Sequence, residues 1–100
     1  METENSKLVI QWALKIKAKM ISALDGTIGE KGIDSVTELM RSIPMSVYKS
    51  EKVIRHSIID VRKYLGDADI REHDAEYEKY FRRELNSYIA DIDSLISRLK

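Results

Sequence analysis

Apolar side chains recur along this chain at helical spacing in four stretches, separated by polar and turn-forming residues. From about Ser6 to Asp25, Leu8, Val9, Ile10, Trp12, Ala13, Leu14, Ile16, Met20, Ile21, Ala23 and Leu24 cover well over half the circumference of a helix. Only a lane of Lys7, Gln11, Lys15 and Ser22 stays polar. Asn5 or Ser6 offers an N-cap, and Gly26 a helix-ending glycine. A helix apolar over so wide an arc belongs either at the centre of a bundle or against another chain.

A short second helix carries Val36, Leu39, Met40 and Ile43; Ser35 and Glu38 read as its capping box and Pro44 as its stop. The third starts near Ser46 or Ser50 and runs to Leu65, with Ile54, Ile58, Val61 and Leu65 on one stripe and Gly66 behind them. Asp69 with Glu72 then caps a fourth helix of about thirty residues, about 45 Å long at 1.5 Å per residue. Its stripe is Ile70, Tyr77, Phe81, Leu85, Tyr88, Ile92, Leu95 and Leu99. No two-residue alternation is long enough for a sheet. The expected fold is all-α: one bundle of about four helices over residues 1–100, with no internal boundary.

Composition narrows the chemistry. With 43% hydrophobic and 34% charged residues, the chain can build a core under a well-solvated surface. It has no cysteine, which removes disulfides, thiol catalysis and every sulfur-ligated metal site. The first apolar stretch follows Glu2 and Glu4 and is interrupted by Gln11, unlike a secretory leader. No apolar run approaches the roughly 20 residues needed to span a bilayer. A soluble, cytoplasmic protein is expected. Seventeen basic and 17 acidic residues cancel overall. By segment they do not: residues 1–65 hold 11 basic and 8 acidic residues (+3), and residues 66–100 hold 6 and 9 (−3). The third and fourth helices are therefore expected to attract each other, within the bundle or across a dimer.

Five patterns carry candidate chemistry. Gly29-Glu30-Lys31-Gly32 resembles the GxxG loop with which KH domains hold a nucleic-acid backbone, but such a loop is mounted on a sheet that this pattern does not supply. His73-Asp74 resembles the metal-binding pair of HD-type hydrolases; helix capping accounts for the same two residues. His56 and Asp60, four apart, share a helix face, yet two ligands make no metal site. His56 with Leu65-Gly66 also resembles a histidine phosphotransfer domain. Where those domains place a lysine and a small residue after the histidine, this chain has Ile59 and Asp60, and the carboxylate would repel a phosphoryl group. The fifth pattern, over residues 35–66, is similar to a helix-turn-helix, a DNA- or RNA-binding motif. Lys49, Lys52, Arg55, His56, Arg62 and Lys63 would be its nucleic-acid contacts, and the fourth helix its dimerisation element.

No nucleophile, base and orienting group share a recognisable arrangement, so neither an enzyme nor a small-molecule substrate is expected. No cofactor or metal is called for either. The wide apolar arc of the first helix and the length of the fourth exceed what a self-contained bundle needs. They point to an interaction or assembly module whose first and fourth helices bind a second copy or a partner protein. Trp12, Ile16, Tyr80, Tyr88, Leu95 and Leu99 are the interface candidates; Trp12 and Tyr80 lie furthest from the centres of their stripes. The helix-turn-helix remains the alternative.

Overall fold

Thr3 opens the first helix. Its extended backbone (φ −99°, ψ 170°) aims the side-chain oxygen at the Ser6 N–H, 3.1 Å away, so α1 (Glu4–Asp25) starts earlier than a cap at Asn5 or Ser6 implies. The computed structural model describes residues 3–100, and helices make up most of them. Gly26 ends α1 in the left-handed region (φ 82°), as expected, and the Ile28 N–H reaches back to the Ser22 carbonyl at 3.1 Å.

α2 spans Gly32–Ser42 and begins three residues ahead of the expected capping box. Ser35 does not cap it; its hydroxyl accepts a hydrogen bond from Lys19 Nζ on α1. At Gly32 a Cβ would stand 2.9 Å from Ile28 Cγ2, so glycine suits the close approach of the turn to the helix start. Ile43, extended before Pro44, closes α2.

The expected third and fourth helices are each broken once. α3 (Met45–Ser50) and α4 (Lys52–Gly66) meet at an extended Glu51 (φ −131°, ψ 114°). The break lets α3 lie against α1 and α4 together, with Val47 buried. α5 (Ala68–His73) and α6 (Ala75–Leu99) meet at Asp74 (φ −138°, ψ 94°), whose carboxylate accepts the Tyr77 N–H at 3.1 Å. Asp74, rather than Asp69 with Glu72, thus caps the last helix. That helix has 25 residues and is about 37 Å long.

The four long helices α1, α2, α4 and α6 form the all-α bundle. α1 and α4 both pack on α6 and on each other, and α2 lies on α4. Val9, Ala13, Ile16 and Met20 of α1 meet Ile54, Ile58 and Val61 of α4 and Leu85, Ile92 and Leu95 of α6 in one core. Ser57 is buried among them, and its hydroxyl has no hydrogen-bond partner. The globule measures 46 × 23 × 21 Å. No helix among the described residues is long and apolar enough to cross a membrane.

Candidate functional site

Burying one face of α1 leaves the opposite face to water. Lys7, Gln11, Leu14, Ala18, Ile21 and Asp25 follow one another at spacings of four and three, so they form a single stripe along the helix. All six are exposed, Leu14 by 50% and Ile21 by 44%. The middle of the stripe is apolar, its N-terminal end basic and its C-terminal end acidic. Toward α6 it borders a groove of about 240 Å³ lined by Ile21, Leu24, Asp25, Arg82, Asn86 and Ile89. Lys17, beside the stripe, is bound to Asp93 of α6 at 2.6 Å. On the other flank, Lys15 Nζ sits 4.4 Å above the Trp12 ring.

The six interface candidates from sequence do not converge on one surface. Ile16 and Leu95 lie in the core of the single chain and offer nothing to a partner. Leu99 and Tyr88 are half-buried against that core. Trp12, also half-buried, borders an open groove between α1 and α2 with Leu39, Lys19 and Glu38. Tyr80 is 56% exposed and lines a different cleft between α4 and α6. Burial, reinforced by the neighbouring Asp60 carboxylate, pushes the Tyr88 hydroxyl up to about 12. Leu14, Ala18 and Ile21 do not stand apart in the sequence, where the whole arc of α1 reads as apolar; the alternating spacings of four and three from Lys7 to Asp25 place them on one face.

The nucleic-acid candidates divide as well. Lys49, Lys52, His56 and Lys63 are exposed. Arg55 is not free, since its guanidinium donates to the Tyr48 and Lys49 carbonyls at 2.9 Å each and closes the end of α3. Arg62 Nε donates to Thr37 Oγ1 at 3.1 Å. Carboxylates share clefts with three of the cations that remain, Lys52, His56 and Lys63. Lys52 and His56 share a cavity of about 430 Å³ with Glu51 and Asp91, and Lys63 shares a cleft with Asp60 and Glu84. The expected attraction between the basic and acidic helices yields one ion pair among the described residues, in the opposite sense: Arg98 of α6 with Glu51, at 3.7 Å.

The remaining motifs are occupied by structure. In the glycine loop, the Gly32 N–H donates to the Gly29 carbonyl at 3.1 Å, and no strand lies among the described residues to carry a KH fold. Asp74 caps α6, and His73 Nδ1 lies 2.8 Å from the Asp69 carbonyl oxygen. Among the described residues, no three His, Asp or Glu side chains gather closely enough to hold a metal ion.

A polar cluster that the sequence did not reveal ties α4, α5 and α6 together. Tyr64 donates to Glu78 Oε1 at 2.9 Å, and Arg71 donates to Glu78 Oε2 at 2.8 Å and to the Tyr64 carbonyl at 2.7 Å. The Arg71 guanidinium also lies 3.6 Å over the Tyr64 ring, which meets Phe81 edge-on at 5.3 Å. Burial works to raise the Glu78 carboxyl, but hydrogen bonds from Arg71 and Tyr64 and the charges of Arg71 and Arg82 outweigh it and hold the group below its usual range. Burial and the bond to Glu78 raise the Tyr64 hydroxyl. These groups satisfy one another, and the cluster reads as a structural clasp.

Comparison with protein-family models, curated proteins and solved structures finds no match for this chain.

Proposed function

We propose that this chain is a non-catalytic interaction module of the cytoplasm that works through the outward stripe of α1. The carrying observation is that stripe: Leu14 and Ile21 stand half or nearly half exposed, with Ala18 between them, on a helix whose other face is already buried. Large aliphatic side chains grouped on one helix face form an interaction surface more readily than the same residues scattered. Support also comes from the candidate catalytic pair, since His73 and Asp74 serve the ends of α5 and α6. A photo-crosslinking residue in place of Ala18, introduced in the native source, tests the proposal against the same residue in place of exposed Lys79 on α6. Protein adducts at position 18 well above those at position 79 are expected; equal yields overturn it.

A nucleic-acid role has less support. Arg55 and Arg62 are engaged within the chain, and acidic side chains line the clefts around Lys52 and Lys63.

A further inference from the structure

The outward stripe of α1 has a property that a general docking surface does not need: its charged ends and its centre are complementary when it is reversed. Lys7, Leu14 and Ile21 recur every seven residues, and Gln11, Ala18 and Asp25 fall four after each. This is the seam spacing of a two-helix coiled coil, in which antiparallel helices pair one set of positions with the other. Running a second copy of α1 in the opposite direction, with residue numbers adding to a constant, sets Lys7 against Asp25, Gln11 against Ile21 and Leu14 against Ala18. The same three pairs recur on the other side of the two-fold axis, as an isologous interface requires.

We infer that the partner of this stripe is a second copy of the chain, packed α1 against α1 in antiparallel register, with Leu14, Ala18 and Ile21 at the centre and Lys7–Asp25 ion pairs at both ends. Charge decides the direction. Parallel packing sets Lys7 against Lys7 and Asp25 against Asp25, whereas antiparallel packing joins opposite signs twice. Ala18 lets the backbones approach, and each Leu14 packs over the Ala18 of the other copy. The seam covers residues 7 to 25, about 27 Å of helix.

Leu24, half-buried, lies on the same edge of the seam as Ile10 of the core. Lys17 and Lys15 flank the middle, where each would approach its own copy. Lys17 is bound to Asp93 at 2.6 Å, and Lys15 leans over Trp12, so both cations already have a partner within their own chain. Asp25 uses Oδ1 for the turn at Thr27, which fixes the carboxylate at the end of the stripe.

Sedimentation equilibrium on the full chain tests this. A concentration-dependent dimer of twice the 11.6 kDa chain mass is expected. Leu14→Glu with Ile21→Glu should leave only monomer with an unchanged far-ultraviolet circular dichroism spectrum, since both residues project from the surface. Lys7→Glu or Asp25→Lys alone should weaken association about tenfold, and the two together should restore it. The chain has no cysteine of its own. Mixing Leu14→Cys with Ala18→Cys chains should therefore give the mixed disulfide in preference to either symmetric one. Monomer at all concentrations, a dimer that survives Leu14→Glu with Ile21→Glu, or failure of the double charge reversal to restore association overturns the inference. It rests on the proposed role of the stripe, yet the two can fail apart. A monomeric chain that still crosslinks to a different protein at position 18 ends the self-association and leaves the interaction role standing.

Discussion

The clasp at the α4–α5–α6 junction and the outward stripe of α1 treat their side chains in opposite ways. At the junction, Tyr64 is buried, Arg71 and Glu78 are largely covered and Arg82 is partly covered, and the four use one another's donors and acceptors. Along the stripe, Leu14 stays half exposed and Ile21 nearly so, at the edge of the groove toward α6. A cluster closed on itself contributes to holding the chain together, whereas an open apolar face contributes only when something else covers it. Stability measurements should therefore find the junction at once and overlook the stripe, and association measurements should do the reverse.

Breaking the junction at its centre gives the largest effect. Tyr64 is 2% exposed and packed on Phe81, so Tyr64→Ala should cost about 3–5 kcal/mol in denaturant unfolding. A loss under about 1 kcal/mol would mean that the junction is no more closed than the stripe.

Glu78→Gln keeps the shape of the side chain but removes the charge that Arg71 and Tyr64 bind, for an expected loss of about 1–3 kcal/mol near neutral pH. The acid side supplies the sign. The Glu78 carboxyl titrates below its usual 4.5 in the folded chain, so its contribution is full above that value and disappears as pH falls through the lowered folded one. Glu78→Gln lacks this component, so the two stability curves should converge on acidification. Parallel curves would remove Glu78 from the clasp.

Gly26→Ala should cost about 1–2 kcal/mol, because φ is 82° there, although nothing lies within 4 Å of an added Cβ. That loss comes from the backbone alone and calibrates the others. The smallest effect on folding belongs to the stripe. Leu14→Glu and Ile21→Glu should each change the unfolding free energy of the monomer by no more than about 0.5 kcal/mol. A large loss from either would show that the stripe is covered within its own chain and would abolish the contrast.

Much of the fold was legible because apolar spacing fixes which residues must leave water. The four long helices and the core positions Ile54, Ile58, Val61, Leu85 and Ile92 follow from it. The breaks at Glu51 and Asp74 did not show. Val47 and Ile54 are seven apart across the first, and Ile70 and Tyr77 seven apart across the second, so each stripe runs on while the backbone beneath it is interrupted. Arg55 and Arg62 looked like free cations because sequence gives a side chain's charge and not the carbonyl or hydroxyl it meets. The clasp was invisible for a related reason: Tyr64, Arg71 and Glu78 are seven residues apart in turn, and only the turns at Asp67 and Asp74 fold that interval back on itself.

By itself, the sequence determined the helical class, the glycine that ends α1, and the presence on α1 of apolar residues all round. It also contained the alternating order of Lys7, Gln11, Leu14, Ala18, Ile21 and Asp25. Only the tertiary structure decided which arc of α1 the rest of the chain would cover. A helix apolar on two faces has two ways to bury itself, and α4 and α6 fill only one of them. The face they leave is defined by where their side chains stop, which no periodicity within α1 can state.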